Sequence, residues 1–136
     1  MIVADTSGLL ALLNRREPAH KAVAAFVGSA EETLAISPYV LAELDYLLAT
    51  RVGTEAELTV LRELAGGAFL LVSLAAEEVL QAGEVIGRYP DLGIGLADAS
   101  LVVLAARFGT RTVLTLDRRH FDVVRPLSGG RFKIVP

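Results

Sequence analysis

The chain has 136 residues, which is the length of one domain that can bury a hydrophobic core. It contains no Cys and two His, so disulfides, thiolate metal sites and cysteine nucleophiles are excluded and a histidine-based zinc site is disfavoured. The net charge is -3, and no uncharged stretch approaches the roughly 18 residues of a membrane span. We therefore expect a cytoplasmic protein with no membrane partner. Its hydrophobic content of 53% and mean hydropathy of +0.52 predict that a protein partner covers part of its surface.

The first predicted element is a buried strand that leads directly into a helix. Residues 2–4 are apolar, and Asp5, Thr6 and Ser7 follow them, which is typical of a strand end and a helix N-cap. Ligands of open α/β sheets bind beyond the carboxyl ends of the strands. Asp5 is therefore either a ligand-binding carboxylate or a helix cap, and for one Asp taken alone the cap is the more common role.

Up to residue 72, the chain alternates between predicted helices and short strands. Helices are expected at residues 7–13, 18–27, 38–52 and 54–65, and strands at residues 34–36 and 68–72. Pro18 and Pro38 suit the first turns of their helices. Thr54 and Glu57 have the spacing of a capping box at the start of the fourth helix.

The second half continues the alternation of helices and strands. Helices are expected at residues 75–88 and 96–108, a loop at residues 89–95, a strand at residues 112–116 and an edge strand at residues 132–135. Apart from Asp98, Ser100 and Arg107, residues 96–108 are almost entirely apolar, so this helix should be buried. The alternation predicts an α/β fold in which helices cover both faces of a central, mostly parallel sheet of 4–5 strands.

Several carboxylates should meet at one edge of this sheet. Asp5 and Asp117 each follow a predicted strand, and Asp98 lies in the first turn of the buried helix. Glu43 is a fourth candidate because its helical neighbours are largely apolar, but Asp45 on the same helix fits the same pattern. Each residue also has an ordinary alternative role, as a helix-start carboxylate, a turn residue or a surface group.

A cluster of this kind requires positive charge. Two like charges about 4 Å apart repel by about 4 kcal/mol at an effective dielectric near 20, and a domain is stable by only about 5–15 kcal/mol. No Lys or His is adjacent to these four positions in the sequence, and Arg118, next to Asp117, is one candidate counter-ion. An all-oxygen ligand set fits Mg²⁺ or Mn²⁺, and two such ions can clamp the oxygens of a phosphodiester during hydrolysis. Thr6 and Ser7 could then orient the Asp5 carboxylate.

Four stretches of the chain form a set in order and spacing. They are Ile-Val-Ala-Asp-Thr-Ser ending at Ser7, Ser-Pro-Tyr-Val-Leu-Ala-Glu-Leu around Glu43, Gly-Leu-Ala-Asp-Ala-Ser-Leu around Asp98 and Leu-Thr-Leu-Asp-Arg-Arg-His-Phe around Asp117. Together they resemble the PIN-domain ribonucleases, specifically the VapC toxins of bacterial toxin–antitoxin pairs. The resemblance implies one PIN domain over residues 1–136, with a three-layer α/β/α fold. It also implies that Asp5, Glu43, Asp98 and Asp117 are the catalytic and metal-binding residues, which favours Glu43 over Asp45.

The resemblance further implies an endoribonuclease toxin that depends on Mg²⁺ or Mn²⁺, with two ions at full occupancy. A metal-activated water would hydrolyse RNA, commonly tRNA or ribosomal RNA, to 5′-phosphate and 3′-hydroxyl ends, which inhibits translation. The implied partners are a second copy of the chain and a cognate VapB antitoxin, and operator DNA is contacted only through the antitoxin. Arg118 and Arg119, in a C-terminal segment rich in basic residues, are candidates for contacts to RNA phosphates.

Three alternatives explain parts of the pattern. An aspartyl phosphatase of the haloacid-dehalogenase type needs a second Asp where this chain has Ser7. A receiver-type phosphoacceptor needs a Lys after a late strand, and the only lysines are Lys21 and Lys133. The main alternative is a non-catalytic PIN-like domain that binds RNA or a protein partner, which metal-dependent cleavage would distinguish from a nuclease.

Overall fold

A five-stranded, all-parallel sheet forms the middle of the computed structural model, which describes residues 1–136. The strands are β1 (Ile2–Ala4), β2 (Leu34–Ile36), β3 (Leu70–Leu71), β4 (Thr112–Leu114) and β5 (Lys133–Val135). Their order across the sheet is β3-β2-β1-β4-β5, so the direction of strand addition reverses between β1 and β4. The parallel arrangement confirms that the residues after β1 and after β4 meet at one edge.

Seven helices surround the sheet. They are α1 (Thr6–Leu13), α2 (His20–Ser29), α3 (Pro38–Arg51), α4 (Thr54–Ala65), α5 (Ala76–Arg88), α6 (Leu96–Arg107) and α7 (Arg118–Phe121). Since crossovers between parallel strands are right-handed, the reversal of strand order distributes α1–α4 to one face and α5 and α6 to the other. The expected α/β class is confirmed. None of the helices has both the length and the apolar character required to cross a lipid bilayer.

Helix α6 is the buried helix that the sequence predicted, since every residue from Ala99 to Ala105 is buried. Ser100 is the only polar residue in that stretch, and its hydroxyl donates to the Ala97 carbonyl oxygen at 2.6 Å. Its Oγ also lies 2.6 Å from that of Ser37, which caps α3 by accepting from the Tyr39 N–H. This contact joins the starts of α3 and α6 and brings both helices to the carboxyl edge of the sheet.

Some predicted boundaries were wrong. Helix α2 begins at His20 and not at Pro18, because residues 17–19 form a turn that is closed by a hydrogen bond from His20 N–H to the Glu17 carbonyl. Strand β3 is shorter than residues 68–72, since a turn after α4 occupies the preceding positions. Strand β4 ends at Leu114 and not at residue 116. The one-turn helix α7 was not predicted.

The capping box predicted at Thr54 was also wrong. Gly53, with a φ of 132°, occupies the N-cap position of α4 and no side chain caps this helix. A comparable bond occurs at α5, where Glu78 Oε1 accepts from the Ala75 N–H at 3.0 Å. The left-handed φ at residue 53, which favours Gly, therefore determines where α4 begins.

Helix α1 lies unusually close to β4. A Cβ atom on Gly8 would be 2.7 Å from the carbonyl oxygen of Leu114, so the backbone approach requires glycine at this position. This packing brings Ser7 within hydrogen-bond distance of Thr115 and Leu116, which follow β4. The ends of β1 and β4 are thereby held together at the edge of the sheet.

Candidate functional site

One cavity at the carboxyl edge of the sheet collects all four predicted acidic residues. It has a volume of about 370 Å³, and its lining includes Asp5, Glu43, Asp98 and Asp117. These residues come from the end of β1, the middle of α3, the first turn of α6 and the position before α7. The cavity lies where the strand order reverses, which is the usual ligand site of an open α/β sheet.

The structure separates Glu43 from Asp45, which helical periodicity did not. Glu43 lines the cavity, whereas Asp45 lies beside Glu57 of α4 and raises the pKa of Glu57, because the two carboxyl groups can share a proton and their negative charges repel. Glu43 is itself exposed, although its helical neighbours are largely apolar. The position of Glu43 follows from the packing of α3 beside α6, as described above.

Asp5 is held firmly, and only 6% of its surface is exposed. Its Oδ2 accepts hydrogen bonds from Ser7 Oγ at 3.0 Å and from Thr115 Oγ1 at 2.7 Å. Thr115 Oγ1 in turn accepts from the Asp117 N–H at 3.0 Å. Thr115 therefore links two of the acidic residues, and Ser7 makes the contact to Asp5 that the sequence suggested.

Asp98 is paired with His120, which the sequence analysis did not predict to be in the site. His120 Nδ1 lies 2.8 Å from Asp98 Oδ2, and His120 is only 7% exposed. Burial raises the pKa of Asp98 and the negative charge of Asp5 raises it further, while His120 opposes both effects. The pocket therefore penalises the charged form of Asp98 unless a cation is close.

Three lining or supporting residues were missed at the level of sequence. No His is adjacent to the acidic residues in the sequence, but the single turn of α7 brings His120 to Asp98 of α6. Thr115 was interpreted only as part of a strand. Arg51 lines the cavity, and a signal for it existed: it follows Glu43 by eight residues, which places both on one helix face.

The two candidate phosphate-binding arginines make different contacts. Arg118 is exposed and forms an ion pair with Asp122 at 3.3 Å. Arg119 places Nη2 3.0 Å from Nε2 of His120. Arg119 is therefore directed toward the residue that supports Asp98, and Arg118 remains on the surface.

The donor chemistry of the cavity fits a hard divalent cation. Four carboxylates line it, against Arg51 as the one permanently charged cation. Thr6, which also lines the cavity, has a buried Oγ1 without a hydrogen-bond partner. No three acidic or histidine side chains already stand in an arrangement that could hold one ion. Protein donors engage one oxygen of three of these carboxylates, Asp5 Oδ2, Asp98 Oδ2 and Asp117 Oδ1, which leaves the second oxygen of each for a cation.

Comparisons with known proteins give a consistent result. Residues 2–126 match the family model of the PIN domain. The chain is 56% identical over 135 residues to Ribonuclease VapC26 of Mycobacterium tuberculosis, which covers 99% of this chain and 100% of that protein. Similar solved structures include Mycobacterium tuberculosis VapC20, described as a sarcin-ricin loop cleaving toxin, with a TM-score of 0.80, 23% identity and coverage of 86% and 90% of the two chains. DNA-bound VapBC from Salmonella typhimurium gives a TM-score of 0.70 at 18% identity and 98% coverage of each chain.

Proposed function

The chain belongs to the PIN-domain family as a VapC-type member, and we propose that it is a metal-dependent endoribonuclease toxin. The observation that carries the proposal is the single cavity lined by Asp5, Glu43, Asp98 and Asp117. These four residues are the proposed metal-binding and catalytic set, with Mg²⁺ or Mn²⁺ as the cofactor and two ions at full occupancy. The ribonuclease named among its relatives, at 56% identity, supports the same activity.

Neighbouring side chains orient the carboxylates of the cavity for hydrolysis of a phosphodiester. A divalent ion would supply Lewis-acid polarisation of the phosphate and lower the pKa of the attacking water. Ser7 and Thr115 hold Asp5 by one oxygen, and His120 holds Asp98 in the same way. Attack of water oxygen on phosphorus, with departure of the 3′-oxygen, leaves a 5′-phosphate and a 3′-hydroxyl.

Mapping of RNA ends tests this activity directly. We expect the purified protein to cut total RNA at few positions in Mg²⁺ or Mn²⁺, and to lose activity in excess chelator, because the carboxylates need the ion. The new ends should ligate as 5′-phosphates. Cleavage that resists chelation, or that leaves a 2′,3′-cyclic phosphate, would contradict the proposal. RNA binding without cleavage under any metal would favour the non-catalytic alternative.

We propose tRNA or ribosomal RNA as the substrate class, with inhibition of translation as the consequence in the cytoplasm. One support is that a structural relative is described as cleaving the sarcin-ricin loop. Arg51 at the cavity and exposed Arg118, which follows Asp117 in the chain, would supply cations for RNA phosphates despite the net charge of -3.

We also propose a cognate VapB antitoxin and a homodimer. Solved relatives include two VapBC complexes that are bound to DNA, so operator DNA would be contacted through the antitoxin. A groove of about 400 Å³ between α1 and α4 has apolar lining residues suited to an amphipathic helix: Leu13, Val52, Ala56 and Val60. The hydrophobic content of 53% supports a second copy of the chain as a further partner.

We expect the antitoxin and the metal to compete for the acidic cavity. A cavity of four carboxylates that accepts Mg²⁺ can also accept a guanidinium from the antitoxin. By linkage, raising Mg²⁺ at constant ionic strength should weaken antitoxin binding, by about 10-fold for a coupling of about 1.4 kcal/mol. Titration calorimetry across a magnesium series measures this effect, with a monovalent salt series as control. An affinity that does not change with Mg²⁺ would show that the antitoxin inhibits from outside the cavity.

A further inference from the structure

Three side chains form a continuous hydrogen-bonded chain from the surface to the cavity. Arg119 is exposed, and its Nη2 lies 3.0 Å from Nε2 of His120. On the other side of the ring, His120 Nδ1 lies 2.8 Å from Oδ2 of Asp98. The buried imidazole is therefore held between a guanidinium and one of the four carboxylates of the cavity.

The chemistry of Arg119 determines the direction of these hydrogen bonds. A guanidinium has five N–H donors and no acceptor, so His120 Nε2 must accept. The proton of the neutral imidazole is then on Nδ1, where it donates to Asp98. In the opposite tautomer, the Nε2–H of His120 would face an N–H of Arg119. Asp98 Oδ2 would then face Nδ1 without a proton between them. Arg119 thus selects the tautomer that can bind Asp98.

We propose that His120, oriented by Arg119, is a positioning residue that holds Asp98 by Oδ2 and leaves its other oxygen for the metal. This inference rests on the proposed metal-dependent cleavage. His120 acts through Asp98 and contacts neither metal nor RNA. Hydrogen bonds that orient metal ligands change metal affinity or activity by about 10- to 100-fold when they are removed. Arg119 accordingly acts on the imidazole and not on an RNA phosphate.

Two amide substitutions distinguish positioning from simple packing. His120→Asn places an amide N–H near the position of Nδ1, whereas His120→Gln places it near Nε2. We expect His120→Ala and His120→Gln to bind Mn²⁺ about 10- to 100-fold more weakly by titration calorimetry, with a reduced kcat for RNA cleavage. His120→Asn should rescue Mn²⁺ affinity to within about 3-fold of wild type, because it restores the donor to Asp98.

A second pair of variants tests the contribution of Arg119 and leaves the imidazole in place. Arg119→Ala should weaken Mn²⁺ binding by about 3- to 10-fold, which is less than the loss of the ring. Arg131→Ala is the matched control, since Arg131 is exposed and does not line the cavity, and Mn²⁺ affinity should not change. In the metal-free protein, long-range ¹H–¹⁵N NMR spectra should show His120 protonated at Nδ1, and this preference should weaken in Arg119→Ala. Comparison with His120→Asn distinguishes its signals from those of His20.

The possible outcomes separate this inference from the proposed function. If wild type binds Mn²⁺ and cuts RNA but the His120 variants bind Mn²⁺ equally well, the inference is overturned and the nuclease assignment stands. Equal losses in His120→Asn and His120→Gln would also overturn it, since only packing would then matter. A wild type that neither binds Mn²⁺ nor cuts RNA would reject the proposed function and the inference together.

Discussion

Asp98→Asn should abolish RNA cleavage and at the same time make the metal-free protein more stable. The metal is expected to supply several kcal/mol of transition-state stabilisation, and a loss of about 4 kcal/mol lowers the rate by about 10³-fold. Asn can still accept the hydrogen bond from His120 Nδ1, so the fold should be retained. In chelator the variant should melt higher, because it removes a charge that burial and Asp5 oppose.

The pH dependence of this stability gain has a defined sign. Burial and the Asp5 charge raise the pKa of Asp98 in the folded state above its ordinary value of 3.8, so folding favours the protonated carboxyl. Compared with Asp98→Asn, wild type is therefore most stable at a pH below the pKa that Asp98 has in the unfolded chain. This relative stability is lost as the pH rises through the pKa that Asp98 has in the folded protein. Thermal melts in chelator at several pH values should show a difference that grows with pH and then levels off.

A control for net charge is available in Asp91→Asn, which removes an exposed carboxylate outside the cavity. It should leave cleavage intact and change the melting temperature little. Metal at 100 times its Kd should stabilise wild type by about 2.7 kcal/mol and Asp98→Asn much less. An Asp98→Asn protein that cuts RNA at the wild-type rate, or that melts lower than wild type in chelator at neutral pH, would contradict this account.

Strand ends and the apolar helix were the parts of the site that local sequence could predict. Asp5 and Asp117 follow short apolar runs, and a parallel sheet necessarily brings such positions to one edge. The uniform apolarity of α6 predicted its burial and therefore the depth of Asp98. These predictions depend on periodicity and on strand direction, which local sequence encodes well.

Contacts made by tertiary packing could not be predicted in the same way. Helix α7 has four residues, which is too short for a periodic signal, so its turn and the return of His120 to Asp98 were not visible. Thr54 had the residues of a capping box, but the backbone conformation of Gly53 places the helix start elsewhere. The contacts of Arg119 and Thr115 similarly depend on which elements meet at the sheet edge.

Glu43→Gln and Asp45→Asn provide a direct comparison within helix α3, because each removes one negative charge and the two positions are only two residues apart. Glu43→Gln takes away a carboxylate that lines the cavity, so cleavage should fall by about 10²- to 10³-fold, equivalent to about 3–4 kcal/mol of lost transition-state stabilisation. Asp45→Asn should leave the rate within about 2-fold of wild type, since surface changes of this kind are nearly neutral.

The pKa of Glu57 provides a positive control for Asp45→Asn, because Asp45 acts on Glu57. Proton sharing with Asp45 and the Asp45 charge raise the pKa of Glu57, so in Asp45→Asn the pKa of Glu57 should move down toward its ordinary value of 4.5 in an NMR titration. Single-turnover cleavage at saturating Mn²⁺ then compares the two variants under conditions where weaker RNA binding does not limit the rate. Equal losses in both variants would mean that α3 acts through its overall charge, and a larger loss in Asp45→Asn would exclude Glu43 from the metal-binding set. We expect the cleavage rate to fall only in Glu43→Gln and the pKa of Glu57 to shift only in Asp45→Asn. The reason is that the packing of α3 beside α6 directs Glu43 into the cavity and Asp45 toward α4.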